Sequence, residues 1–309
     1  MTACFIDCSP TMRALLTPER LAALPGLVVH GEPESPDAVV ECLRGVTVAL
    51  NGHTMMPEEV LRRCHGLRSI VFLGSGATSY IDVEAAEALG IVVRTVPGYG
   101  DRTVAEHTMA LMLAASRRVA EMDRAVRSGP WAPLLGMDLA GKRLGVIGTG
   151  GIGATFMGMA EAFGMEVVAW NRSQPMRALP GRMVPLNELL ETSDVVSLHL
   201  ALNAETRGFL DAARLARMRP EAILVNTARG ALIDEAALVD ALEAGRLGHA
   251  ALDVFTEEPL PVDHPLTRLA NVTLTAHAGY KTPEASLRLL VMSLELAARD
   301  LAAFGTAGR

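Results

Sequence analysis

Lysine is nearly absent from this chain. Of 309 residues only Lys142 and Lys281 are lysine, so arginine supplies almost all of the positive charge. No basic run occurs, the formal net charge is −7 and the pI is near 5.7. A nucleic-acid surface needs clustered cations, so no such partner is expected. Cysteine is confined to Cys4, Cys8, Cys42 and Cys64, with no C-x-x-C pair. That pattern suggests neither a disulfide framework nor a metal-ligand set, and reads as a cytoplasmic chain with reduced thiols. No apolar run is long enough to span a membrane. The start, MTACFIDCSP, has no basic residue ahead of an apolar core, so no secretion signal is expected. Aromatic residues make up only 4% of a chain that is 50% hydrophobic, which leaves the cores to Ala, Val, Leu and Met.

What is present is alternation. Short apolar runs (ACFID, LVVH, VTVAL, LRSIVFL, GIVVRTV) alternate with helical stretches over the first hundred residues. After the stretch TVAEHTMALMLAASRRVAEMDRAVRSG, residues 103–129, read as one long helix whose first three turns are apolar, the alternation resumes with RLGVIG, MEVVAW, DVVSLHL, AILVNT, HAALDVF and NVTLTAH. Strands alternating with helices argue for parallel sheets covered on both faces, and the length argues for two domains. The helix from Val104 is apolar nearly all round. That implies burial on more than one side, within one subunit or at an interface between subunits.

The run GTGGIG, residues 148–153, follows a strand, opens a helix and precedes a second strand. Gly148, Gly150 and Gly153 fit the dinucleotide-binding pattern G-x-G-x-x-G. In it the glycines permit a tight turn, close approach of backbone to a pyrophosphate, and close helix–strand packing. The second strand ends at Trp170, and Asn171 lies 23 residues after Gly148. An acidic residue there would accept hydrogen bonds from the ribose 2′-OH of NAD. Here the tip reads Asn171-Arg172-Ser173, with no carboxylate. Arg172 can pair with a phosphate, so the tip reads as a 2′-phosphate pocket and the cofactor as NADP(H). The alternative is that Arg172 stacks on adenine or lies in solvent while NAD(H) binds.

In the last third, Arg229, Glu258 and His277 each fall just past a predicted strand, where open α/β sheets bind ligands. An Arg, a Glu and a His at one crevice make an acid/base site for an anionic substrate.

These segments, with GSGATSYIDVEAAEALGIVV, TVAEH, LAGKRLGVIGTGGIG, VNTARGALID and ALDVFTEEPLP, resemble the D-isomer-specific 2-hydroxyacid dehydrogenase family over nearly the whole chain. The resemblance implies two doubly wound parallel-sheet domains. A flavodoxin-like substrate domain, 1–98 and 282–309, would receive a Rossmann dinucleotide-binding domain, 99–281. It implies hydride transfer between a nicotinamide cofactor and a 2-ketoacid or D-2-hydroxyacid. Arg229 would hold the substrate carboxylate, His277 would be the general acid in reduction, and Glu258 would orient its ring and stabilise the imidazolium. Further cofactor contacts implied are Thr103, Gly151, Ile152, the turn at Leu200 and Ala201, Thr206, Thr227, Ala228, Asp253 at the nicotinamide carboxamide, and Gly279, with Arg229 and His277 shared. A homodimer through the dinucleotide domain is implied too. His107 and His199 are expected in structural or cofactor-adjacent positions.

The chain also departs from the family. Many relatives carry proline where Ala201 stands. The loop GSGATSYID, residues 74–82, is one residue longer than the usual G-x-G-x-D-N-x-D pattern and lacks its Asp-Asn pair. Backbone N–H groups of Ser75, Gly76 and Ala77 can still cradle a carboxylate. No cation lies in that loop, which points away from a phosphorylated substrate and toward glyoxylate or hydroxypyruvate. Two rivals remain. One is a non-catalytic dinucleotide-sensing corepressor, expected to carry terminal segments beyond those seen here. The other is a formate or phosphite dehydrogenase; formate enzymes of this plan pair their His with Gln where this chain has Glu258.

Overall fold

The computed structural model describes residues 1–173 and 178–306. The chain forms two compact units, one of Met1–Gly100 with the chain from Thr282 onward, the other of Asp101–Lys281.

The first unit holds β1 (Ala3–Phe5), β2 (Val28–Val29), β3 (Val48–Asn51), β4 (Ser69–Phe72) and β5 (Val92–Arg94) in the order β2-β1-β3-β4-β5, every pair parallel. This is the flavodoxin-like winding. Alternate side chains go to opposite faces, as a pleated strand requires. Cys4 and Ile6 join one buried cluster, Ala3 and Phe5 the other. The second cluster is closed by the helix Pro283–Thr306, which buries Ala285, Leu289, Leu290, Leu294 and Ala297 at helical spacing. Asp300 on that helix accepts from Ser69 Oγ at 2.5 Å and Arg94 Nε at 2.7 Å, tying it to β4 and β5.

The second unit holds β6 (Arg143–Ile147), β7 (Glu166–Trp170), β8 (Arg182–Met183), β9 (Val195–Leu198), β10 (Ile223–Asn226), β11 (His249–Leu252) and β12 (Val272–Leu274). Their order, β12-β11-β10-β9-β6-β7-β8, is the Rossmann order with one strand added, again all parallel. The winding reverses between β6 and β9, where such sheets place the ligand. Both faces are covered: Val196 and Leu224 enter one cluster, Val195, Ile223 and Val225 the other.

The stretch read as one long helix is two. Asp101–Ser116 and Val119–Ser128 are separated at Arg118, whose backbone is left-handed at φ 52°. The returning chain supplies the reason. Met137 N–H donates to the Ser116 carbonyl at 2.8 Å, and a Cβ on Gly136 would lie 2.7 Å from that oxygen. A tertiary partner thus takes a carbonyl that helix continuation would use, and no Gly or Pro announces it. The first helix buries Ala105, Thr108, Met109, Leu111, Met112 and Ala115 inside its own unit. The second buries none of its residues.

Candidate functional site

β6 runs directly into the glycine loop. Gly148 has φ +99°, and a Cβ there would sit 2.5 Å from the His199 carbonyl oxygen. A Cβ on Gly153 would run into the Gly148 carbonyl oxygen, and one on Gly151 into the Asp101 carboxylate. Gly150 differs, since nothing lies within 4 Å of where its Cβ would be. Gly148 and Gly153 are therefore required by the backbone around them, a side chain at Gly151 would need the Asp101 carboxylate to move aside, and Gly150 leaves open space. That space faces the start of the helix Gly151–Ala162, whose cap residue Gly150 offers no side-chain bond. The Gly151, Ile152 and Gly153 N–H groups donate to no described residue. Unsatisfied donors, the positive end of the helix dipole and an open approach fit a pyrophosphate.

At the tip of β7, Asn171 Nδ2 donates to Ser173 O at 2.9 Å and to Ser173 Oγ at 3.2 Å. Asn171 Oδ1 accepts from Thr149 N–H at 3.4 Å, linking the tip to the glycine loop. Arg172 is exposed and ion-paired with Glu205, itself exposed. The strand carries no carboxylate at its tip, but the fold brings one there from the turn after β9. The neighbouring segment 174–177, which follows the tip, lies outside the described residues. In the turn after β9, past Leu200, Thr206 Oγ1 donates to Ala201 O at 2.7 Å, so a side-chain bond closes the turn.

Each of the three acid/base candidates sits at a strand end. β10 ends at Asn226, whose side chain closes the next turn by donating to Arg229 O at 2.9 Å and accepting from Ala228 N–H at 3.0 Å. Thr227 is held by Thr108 Oγ1 at 2.8 Å. Arg229 is half-buried, and its Nη1 donates to Ala228 O at 2.6 Å. Glu258 follows β11. Its Oε1 accepts from Phe255 N–H at 2.9 Å and its Oε2 meets His277 Nδ1 at 2.6 Å. Burial alone raises the Glu258 pKa. The His277 bond, the Phe255 N–H and the His277 and Arg229 charges outweigh it and hold the carboxyl below its ordinary value. His277 follows β12 in a left-handed backbone, φ 49°, with Tyr280 edge-on to its ring at 6.1 Å. With Nδ1 committed to an ionised carboxylate, Nε2 is the nitrogen left for chemistry; it has no partner among the described residues. A His that gives or takes a proton at Nε2 while a carboxylate fixes Nδ1 is an acid/base pair.

Asp253, expected at the nicotinamide carboxamide, is buried and its carboxylate is engaged by four donors of the chain. Oδ1 accepts from Thr275 Oγ1 at 2.6 Å and Ala278 N–H at 2.9 Å, Oδ2 from Gly279 N–H at 2.8 Å, and His107 Nε2 lies 3.2 Å from Oδ1. Burial alone raises its pKa, but these four donors prevail and lower it. Thr103 is buried in the first turn of Asp101–Ser116. His199 is buried against Phe156, which pushes its pKa down to about 3 and keeps it neutral. In the other unit, Ser75, Gly76 and Ala77 open a turn of 3₁₀ helix, and none of their N–H groups donates to a described residue. Asp101, Glu205, Asn226 and Thr275 were not singled out from sequence, and His107 only as a structural or cofactor-adjacent residue. His107, Asn226 and Thr275 do stand in quoted segments, TVAEH, VNTARGALID and NVTLTAH.

The described residues contain no group of three or more His, Cys, Asp or Glu side chains able to hold a metal, and no helix long and apolar enough to cross a membrane. Residues 109–279 match the family model described as D-isomer specific 2-hydroxyacid dehydrogenase, NAD binding domain. The chain is 43% identical over 249 residues to a glyoxylate reductase of Aeropyrum pernix, covering 77% of this chain and 74% of that protein. It is 41% identical over 238 residues to a D-3-phosphoglycerate dehydrogenase of Methanocaldococcus jannaschii, covering 75% of this chain and 45% of that one. An acyclic imino acid reductase solved with NADPH and D-Arg superposes with a TM-score of 0.87 at 29% identity, over 98% of each chain. With a glycine loop fitted to a pyrophosphate and these relatives, the chain belongs to the D-isomer specific 2-hydroxyacid dehydrogenase family and uses a nicotinamide dinucleotide as its cofactor.

Proposed function

We propose that this protein is a reductase of small 2-ketoacids of the glyoxylate or hydroxypyruvate type, with Arg229, Glu258 and His277 as its working groups. The observation that carries the reading is the 2.6 Å bond from Glu258 to His277 Nδ1, which leaves Nε2 free. The bound cofactor supplies the hydride. Arg229, permanently charged and planar, holds the substrate carboxylate and draws charge from the keto oxygen. His277 gives its Nε2 proton to that oxygen as the alcohol forms, and takes one back in the oxidising direction. Glu258 stabilises the imidazolium before transfer and fixes the neutral tautomer after it. Ser75, Gly76 and Ala77 are further candidate carboxylate donors through their N–H groups. No cation lies in residues 74–82, which favours an unphosphorylated acid over phosphoglycerate.

The dinucleotide contacts in this reading are Thr103, Gly148, Gly150, Gly151, Ile152, Gly153, the 200–201 turn, Thr206, Thr227, Ala228 and Gly279. NADPH is the preferred form: its 2′-phosphate takes Arg172 from Glu205, with Asn171 and Ser173 beside it. A panel of 2-ketoacids run with NADPH and NADH tests both halves. Glyoxylate or hydroxypyruvate turnover with a lower KM for NADPH is the expected result, and Arg172→Ala removes the difference. No oxidation of either cofactor across the panel would falsify the activity, and equal KM values would remove the preference.

The same reading makes the protein a homodimer through its dinucleotide unit. The support is a run of exposed apolar side chains outside the core, Val119, Val126, Trp131 and Leu135, with Trp131 86% and Leu135 93% exposed. Unpaired cysteines agree with a cytoplasmic setting.

A further inference from the structure

His107, expected only in a structural or cofactor-adjacent position, has its ring aimed at the base of the loop that carries His277. Its Nε2 lies 3.1 Å from Thr275 Oγ1 and 3.2 Å from Asp253 Oδ1. The proton directions follow from the partners. Thr275 has one hydroxyl proton, and it goes to Asp253 Oδ1 at 2.6 Å. An ionised carboxylate has none to give. His107 Nε2–H is therefore the donor to both oxygens.

Asp253 in turn holds the 277–279 backbone at three consecutive N–H groups. Its carbonyl oxygen accepts from His277 at 2.8 Å, and its carboxylate accepts from Ala278 at 2.9 Å and Gly279 at 2.8 Å. His277 is one of two non-glycine residues with positive φ among those described. A side-chain-bearing residue stays left-handed only where its surroundings over-determine it. Here Asp253 is that constraint, and its carboxylate keeps its orientation only if its own donors hold it.

We propose that His107 is a positioning residue for the acid: by donating from Nε2 to Thr275 and Asp253, it fixes the carboxylate that clamps the left-handed His277 turn and so aims the imidazole. The proposal rests on the reading of His277 as the general acid. His107 itself meets neither substrate nor dinucleotide in this scheme.

The test compares His107→Phe, which removes the donor, with His107→Gln, whose amide can replace it, and with His277→Ala. The expected result for His107→Phe is a kcat lower by about 10- to 100-fold, the scale on which a misplaced reacting group costs rate. The KM for the dinucleotide stays within about twofold, and His107→Gln recovers most of the kcat. Unchanged kcat in His107→Phe, alongside an inactive His277→Ala, overturns the positioning role alone. An active His277→Ala overturns the underlying reading instead. Should His107→Phe not fold, Thr275→Val removes a donor to the same carboxylate from the other side. The same split then supports the proposal, and an unchanged kcat counts against it.

Discussion

At the scale of residues, the acid/base pair is legible in two oxygen and nitrogen atoms. Glu258 stays ionised because its donors outweigh its burial, so it keeps His277 Nδ1 occupied. In the proposed mechanism His277→Ala removes the group that delivers the proton, and turnover is expected to fall by about 10²- to 10⁴-fold with dinucleotide affinity retained. Ketoacid turnover and a fluorescence titration with NADPH separate the two effects; retained turnover would refute the role. Arg229→Lys keeps the charge but loses the planar fork, which a carboxylate engages through two parallel bonds. The expected loss in kcat/KM is about tenfold or more, with saturation deferred to higher ketoacid concentration. A lysine variant as efficient as the parent would mean that Arg229 acts only as a point charge.

At the scale of elements, the glycine loop separates structural need from ligand need. Gly148→Ala would force a side chain into φ +99° and against the His199 backbone, so it is expected to lower Tm. Gly150→Ala meets nothing in the protein, so Tm should hold while the dinucleotide KM rises, the methyl occupying the pyrophosphate's approach. Thermal melts with and without NADPH distinguish them; an unchanged KM in Gly150→Ala would mean that the phosphates pass elsewhere. The helix Asp101–Ser116 shows what an element can do beyond filling a core. Its consecutive residues His107 and Thr108 reach two different strand-end loops, those of His277 and Arg229. Apolar patterning announced a buried helix but said nothing of these polar anchors. One ordinary hydroxyl and an imidazole carry no signal until their partners, far along the chain, are folded against them.

At the scale of the whole molecule, two buried histidines set the acid side of stability. Burial pushes the His199 pKa to about 3. Burial, with the Arg118 and Arg124 charges behind it, pushes His249 to about 4. Both stay neutral in the folded chain while the unfolded chain takes up their protons below about pH 6.5. Stability is therefore full above that pH and falls as pH drops toward the folded values. Each histidine contributes about 1.4 kcal/mol per pH unit in that window. Denaturant melts from pH 7 to pH 5 should show the slope, and a flat profile would refute the neutral burial of both. The proposed dimer belongs to this scale too. Leu135→Asp places a charge in the proposed interface without touching a core, and should yield monomers in sedimentation velocity. An unaltered mass would move the interface off this surface.

Local sequence was enough for every strand but the two-residue β8, for parallel sheets covered on both faces and for the glycine loop, because each is written in periodicity and turn chemistry within a few residues; the two windings came from the resemblance to a known family. It was enough as well to mark Arg229, Glu258 and His277, since each follows a strand that ends at the ligand side of its sheet. Only the tertiary structure decided what depends on distant partners. The break at Arg118 exists because Met137 returns to claim a carbonyl. The carboxylate beside Arg172 comes from Glu205, 33 residues away in the chain. The left-handed His277 is held through Asp253 by His107, 170 residues before it. Periodicity reports which face of an element is buried; it does not report which polar atoms meet once the faces are closed.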